Sequence, residues 1–198
     1  MRTETITRNV YTIHELSDQE RERAHEKWNE LDDYGWGDEN RKSLEWFAER
    51  FHVVTKDWSY GGWGRTYMRF DLRMDDVVYD IEVLKGQRLA NWLMLHHFHD
   101  LYEGKWYCKN YPKQRRSKVM FQERCPTGYC IDYSLLQPIR DFIKNPNPNT
   151  TYEELMEDCL DSWLTACQED WEFTQTMEYF IDACDANEYE FYKNGEMV

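Results

Sequence analysis

Residues 150–171 run Thr-Thr-Tyr-Glu-Glu-Leu-Met-Glu-Asp-Cys-Leu-Asp-Ser-Trp-Leu-Thr-Ala-Cys-Gln-Glu-Asp-Trp. Thr151 with Glu154, or Thr150 with Glu153, supplies a capping box, in which two side chains satisfy backbone N–H groups that a first helical turn leaves without partners. Beyond it, Leu155, Leu160, Trp163 and Leu164 are threaded among acids. That pattern is a helix with one apolar side and one densely anionic side. The spacing predicts a helix to about residue 171 and another over 174–186. Cys159 and Cys167 flank Trp163 and read as small buried hydrophobes, because free cysteine is among the most buried residue types.

The charge of the chain lies in the same region. Residues 150–198 hold fourteen Asp and Glu against Lys193 alone, a net of −13. The whole chain has 24 Lys and Arg against 38 Asp and Glu, a net of −14. Ordinary solvated helices mix signs, since opposite charges four residues apart help a helix and like charges cost it a few tenths of a kcal/mol. A helix carrying Glu153, Glu154, Glu157, Asp158, Asp161, Glu169, Asp170 and Glu172 approaches the charge spacing of duplex DNA, about one per 1.7 Å of axis. Such a face suits the basic, nucleic-acid-binding groove of another protein, with Trp163 or Trp171 as an aromatic anchor.

The rest of the composition sets limits. At 198 residues the chain reads as a single domain, 1–198, able to bury roughly 70 % of its unfolded surface. Aromatic residues make up 16 %, which is too many for a disordered chain. The opening Met-Arg-Thr-Glu-Thr has no apolar core of signal-peptide length, and no run approaches a membrane span. These features predict a cytoplasmic protein with six cysteines as thiols. The net negative field opposes direct contact with nucleic acid or an anionic membrane.

In order, residues 4–13 are extended. Ser17 with Glu20 caps a helix over 18–31, with Ala24, Trp28 and Leu31 on one face. A second helix covers 38–51, with Leu44, Phe47, Ala48 and Phe51 inward. Strand patterns over 52–58, 65–73 and 77–84 predict an antiparallel meander, followed by a helix over 87–102. Residues 104–130 form a basic, cysteine-bearing insertion, a long loop or a strand pair. A helix over 133–144 places Pro138 early, as a first-turn proline, before the break at Asn145-Pro-Asn-Pro-Asn149. The chain closes on Lys193-Asn-Gly195, the tight turn of a terminal hairpin. The predicted class is α+β: an antiparallel sheet packed by several helices, with 150–198 as an acidic helical region.

Two stretches offer other chemistry. Lys105, Lys109, Lys113, Arg115, Arg116, Lys118 and Arg124 face a single acid, Glu123, with Trp106, Tyr107, Tyr111 and Phe121 between them. That mixture serves a single-strand nucleic-acid platform or neutralises the acidic helices internally. Cys108, Cys125 and Cys130, with His99 or its neighbours His96 and His97, are the sharpest metal candidates, since zinc takes four nitrogen or sulfur ligands. Their spacing fits no common zinc knuckle, and no cofactor is expected. A zinc-stabilised nucleic-acid-binding accessory is the alternative these residues define. Asp32-Asp33 and Asp75-Asp76 are turn carboxylates, and Gly61-Gly-Trp-Gly64 lacks the Lys and Ser/Thr of a phosphate loop. No nucleophile sits in a recognisable motif, so the reading is non-enzymatic.

Tyr11-Thr-Ile-His-Glu-Leu-Ser-Asp-Gln-Glu-Arg-Glu-Arg-Ala-His-Glu-Lys-Trp28 resembles the opening of small acidic proteins of phages and prophages, in which an "xELS" cap leads into a helix with an Ala-x-x-x-aromatic face. Asn187-Glu-Tyr-Glu-Phe-Tyr-Lys-Asn-Gly195 is similar to their closing strand and turn. The match covers about a seventh of the chain, and no catalytic residue carries over. The resemblance implies a phage accessory protein acting in the host cytoplasm. Such proteins often block host defences, CRISPR effectors or restriction enzymes among them, frequently by imitating nucleic acid.

Overall fold

The computed structural model describes residues 7–31, 34–62, 64–73, 81–108 and 117–198, with the backbone alone at 82, 106–108, 117 and 118. Over these the elements run β1 (Tyr11–Thr12), α1 (Asp18–Glu30), α2 (Gly37–Arg50), β2 (Val53–Ser59), β3 (Tyr67–Leu72), a 3₁₀ turn (Ile81–Val83) and α3 (Gly86–His96). They continue with α4 (Phe98–Leu101), β4 (Tyr102–Cys108), β5 (Ser117–Glu123), α5 (Ile131–Lys144), α6 (Tyr152–Thr174), α7 (Met177–Asn187) and β6 (Glu190–Phe191). The class is α+β. Among the described residues the strands form three separate two-stranded antiparallel ladders, β1–β6, β2–β3 and β4–β5. The chain divides into a terminal unit, Met1–Gly35 with Glu169–Val198, and a central unit, Trp36–Gln168.

In the terminal unit the Ser17 N–H donates to Glu20 Oε2 at 2.9 Å, which closes the expected capping box at the start of α1. Ala24 is buried, and the half-buried Trp28 ring lies 5.5 Å from Phe180 and 6.1 Å from Tyr189. Leu31, expected on the same inward face, is 63 % exposed. Of the segment expected to be extended, 4–13, residues 4–6 lie outside the described residues and Tyr11–Thr12 form β1, paired as Tyr11↔Phe191 and Thr12↔Glu190. The terminal turn forms as expected: Gly195 N–H donates to Tyr192 O at 2.9 Å, and Tyr192 N–H to Glu196 O at 2.8 Å. Gly195 has φ 82°, and a Cβ there would lie 2.8 Å from the Ala24 nitrogen. Only glycine meets both demands. At the start of α7, Thr176 Oγ1 accepts the Tyr179 N–H at 3.2 Å. Ile13, Leu16, Ala24, Phe180, Cys184 and Phe191 make the core of this unit.

In the central unit the aromatic side of α2 is buried as its spacing requires, with Phe47 and Phe51 stacked at 4.7 Å. The β2–β3 ladder runs from Val53↔Leu72 to Ser59↔Tyr67, with an irregularity between Thr55 and Asp57. The third strand expected over 77–84 falls partly outside the described residues, and its described part is not strand. Residues 74–80 lie outside the described residues, and Ile81–Val83 coil into the 3₁₀ turn, which buries Ile81 to 1 % exposure. The helix expected over 87–102 breaks at His97, whose ring is buried 4.5 Å from Phe51 and 5.4 Å from Trp92. The basic segment takes the strand-pair form, from Tyr102↔Glu123 to Cys108↔Ser117.

Pro138 lies well inside α5 and not in its first turn, because that helix begins at Ile131. Proline has no N–H, so the Ser134 carbonyl four residues earlier loses its helical donor. Ser162 of α6 replaces it, its hydroxyl donating to Ser134 O at 2.8 Å. The α6 segment of this unit then buries Tyr152, Leu155, Met156, Cys159, Leu160, Trp163, Leu164 and Cys167. Trp163 stands edge-on to Trp58 at 5.4 Å and to Tyr60 at 5.8 Å, and Tyr152 OH donates to Phe51 O at 2.7 Å.

Candidate functional site

The capping box at the head of α6 is Thr151 with Glu154. Thr151 N–H donates to Glu154 Oε2 at 2.9 Å, and Glu154 N–H to Thr151 Oγ1 at 3.2 Å. Those bonds, with Lys85 nearby, hold the Glu154 carboxyl below the usual carboxylate range. From this start the apolar positions turn inward, and Glu153, Glu154, Glu157, Asp158 and Asp161 turn outward, all exposed. At about 100° per residue the five fall within roughly 140° of arc, and at 1.5 Å per residue they span about 12 Å. Among the described residues no Lys or Arg forms an ion pair with any of them. Partial burial, then the neighbouring Asp161 and Glu154 charges, push the Asp158 carboxyl up.

Trp163 is no part of this face. It is fully buried, because it continues the stripe of Tyr152, Met156, Cys159 and Cys167 on the opposite side of the helix. Trp163 is therefore not available as a surface contact anchor. The remaining acids lie on the α6 segment of the terminal unit. Glu169, Asp170 and Glu172 are exposed and Trp171 is half-buried. The eight acids are thus divided between the two units, five in the central one and three in the terminal one. Burial, then Glu169, raise the Asp170 carboxyl.

The charge divides unevenly between the two units. The terminal unit carries six Lys and Arg against eighteen Asp and Glu, a net of −12. The central unit carries eighteen against twenty, a net of −2. Within the central unit the acid face of α6 is therefore a local concentration on a nearly neutral body.

Of the basic candidates, Lys105 is exposed on β4. Lys109, Lys113, Arg115 and Arg116 lie outside the described residues, as do the side chains of Lys118 and Cys108. Cys125, Cys130 and His99 are exposed, and burial raises the Cys125 thiol above its ordinary value. Among the described residues no group of three or more His, Cys, Asp and Glu is placed to hold a metal ion, and no helix is long and apolar enough to cross a membrane. Cys159, Cys167 and Cys184 are buried, and burial pushes Cys184 up to about 12.

Three features had no reading in the sequence. Arg50 Nε donates to Asp100 Oδ2 at 2.7 Å, and the same oxygen lies 3.2 Å from His97 Nδ1. Burial lowers the His97 pKa despite Asp100. Phe51 stacks on the His97 ring and Trp92 lies beside it, and both His97 and Asp100 are buried. Arg140 is fully buried in α5; its Nη2 donates to the carbonyls of Arg124 and Leu101 and so ties down the base of the β4–β5 hairpin. The third is an apolar cavity in the terminal unit between α1 and the closing hairpin, lined by Trp28, Leu31, Phe191 and Met197. Comparison with protein-family models, with curated proteins and with solved structures finds no match for this chain.

Proposed function

We propose that the chain is a non-enzymatic binding protein that occupies the cationic groove of a nucleic-acid-handling protein. The observation that carries this is the α6 face. Five exposed carboxylates, Glu153, Glu154, Glu157, Asp158 and Asp161, share one side of a helix over about 12 Å and have no ion-paired base among the described residues. That is a charge every 2–3 Å or so, close to the spacing of duplex DNA. The helix is backed by the central core, so the carboxylates are held in place before a partner arrives. A cationic groove gains attraction without the entropy cost of ordering a loose acidic tail. In the setting that the phage resemblance implies, the partner is a host defence protein, a CRISPR effector or a restriction enzyme.

The test is competition. A purified CRISPR effector or restriction endonuclease is bound to labelled duplex DNA, and the chain is added at NaCl from 0.05 to 0.5 M. Displacement that weakens steeply with salt supports the reading. A flat response, or no displacement by the chain from any member of a panel of such enzymes, removes it. In a second arm, Glu153, Glu157, Asp158 and Asp161 are reversed to Lys, sparing Glu154 because it caps the helix. Displacement should be lost with the circular-dichroism spectrum unchanged.

A further inference from the structure

The terminal unit holds a feature that the acid face of α6 does not use. Ala24, Lys27, Trp28 and Leu31 of α1 and its end, with Phe191, Gly195, Glu196 and Met197, line a cavity of about 260 Å³. A second cavity of about 140 Å³ shares Trp28, Leu31 and Met197 with it and reaches Asn29, Gln175, Tyr179 and Tyr189. The shared rim is apolar and open: Leu31 is 63 % exposed and Met197 41 %. Lys27, the cation on the wall, is already paired with Glu196 at 3.7 Å. Asn29 turns its Nδ2 towards His25 and the Gln175 carbonyl, and its buried Oδ1 has no hydrogen-bond partner among the described residues. The wall therefore offers apolar surface and one acceptor in want of a donor.

We infer that this cavity docks a Lys- and Arg-rich amphipathic segment of a partner protein, which seats one aliphatic or aromatic side chain between Trp28, Leu31 and Met197. Charge selects the occupant. The unit around the cavity has a net charge of −12, so a basic segment is drawn to it, while a nucleic acid or a second copy of this acidic unit is repelled. Size favours a side-chain anchor, since the larger cavity lies at the low end of small-molecule pockets, which run to roughly 300–1,000 Å³. The larger cavity here fits a single side chain, the kind of anchor that dominates a protein interface. A donor beside that anchor completes Asn29, whose unmet acceptor otherwise costs free energy in a buried wall. The proposal concerns a different surface from the α6 face and stands or falls separately.

The probe is a labelled sixteen-residue Leu/Lys amphipathic peptide, with a Lys/Gln peptide of equal charge as control, titrated into the full chain. Methionine methyl NMR follows Met197. The expected result is that the Leu/Lys peptide shifts the Met197 methyl and binds about tenfold more tightly than the control. Leu31→Ser with Met197→Ser should remove that margin and leave the control unaffected. Both side chains are exposed, so the fold should survive the change; Leu31→Met, which keeps the apolar rim, should retain the affinity. Equal binding of the two peptides overturns the proposal. So does binding that the double variant leaves intact, or affinity lost only when the α6 acids are reversed. Concentration-dependent dimerisation that the double variant abolishes would assign the cavity to a second copy and overturn it as well.

Discussion

The two units answer the problem of stability in opposite proportions. Among the described residues the central core joins 22 buried residues, from Leu44 to Cys167, under a net charge of only −2. The terminal core joins six, under a net charge of −12. Apolar burial contributes about 25 cal/mol per Å², while like charges on a compact body repel. The central unit therefore rests on packing. The terminal unit rests on a small aromatic cluster around Phe180 and on backbone fit, such as the approach of Gly195 to Ala24. Salt should matter little to the first and much to the second.

The largest blow to the central side of that contrast is Trp163→Ala, which should cost about 3–5 kcal/mol, read as a fall in the denaturant midpoint. Trp163→Phe should cost much less, because the indole Nε1 makes no hydrogen bond among the described residues. Next comes Gly195→Ala, which forces φ 82° on a residue with a Cβ and should cost about 2 kcal/mol. Hydrogen exchange should then rise over the described parts of residues 7–31 and 169–198 and not over the central unit. Equal loosening of both units would dissolve the contrast.

Acidification should act on the central unit through His97. Burial lowers its pKa, so the folded state resists protonation more than the unfolded chain does. Stability is full above the ordinary value of 6.5 and falls as pH drops below it, by at most about 1.4 kcal/mol per pH unit. His97→Phe should remove that slope in an acid titration followed by tryptophan fluorescence. Salt should act on the terminal unit. Glu22 with Glu26, Glu26 with Glu30, and Glu178 with Asp182 are like charges four apart on α1 and α7, each costing a few tenths of a kcal/mol. Moving from 0.05 to 0.5 M NaCl should therefore stabilise that unit by about 1 kcal/mol and the central unit by less. Smallest is Asp158→Asn. It removes a charge that partial burial, then Asp161 and Glu154, disfavour, and should gain a few tenths of a kcal/mol. In the wild type the same penalty is present at neutral pH and relieved as pH falls through the raised pKa.

What the residues announce in advance is local. Ser17 with Glu20 and Thr151 with Glu154 mark both helix starts because a cap acts within one turn. The stripe from Tyr152 to Cys167 marks its buried side because helical periodicity is a property of the segment alone. The same stripe held the evidence against Trp163 as a surface anchor, since that residue lies four places from both Cys159 and Cys167. Other features depend on partners distant in sequence. Leu31 and Leu95 continue apolar patterns, yet both are exposed, because no described residue from elsewhere in their own unit covers them. Ile81 reads as strand by composition, but the core takes its side chain from a 3₁₀ turn. Arg140 gives no sign of full burial, for the carbonyls that receive it belong to the far ends of a hairpin. Of the candidate surface, the α6 acids were visible as a helix face. Their division between two differently charged units, and the cavity beside Trp28, were not.

The Ser162 hydroxyl bonded to the Ser134 carbonyl fixes an alignment between two helices. Slide α6 by one turn and the position opposite Pro138 passes to Asp158 or to Ala166. Neither has a hydroxyl, so the carbonyl exposed by the proline would sit unmet in the interior. The proline thus works as a slot and the serine as its key. One imino acid in α5 holds α6 to a single setting, and with it the heights at which five carboxylates stand above the surface.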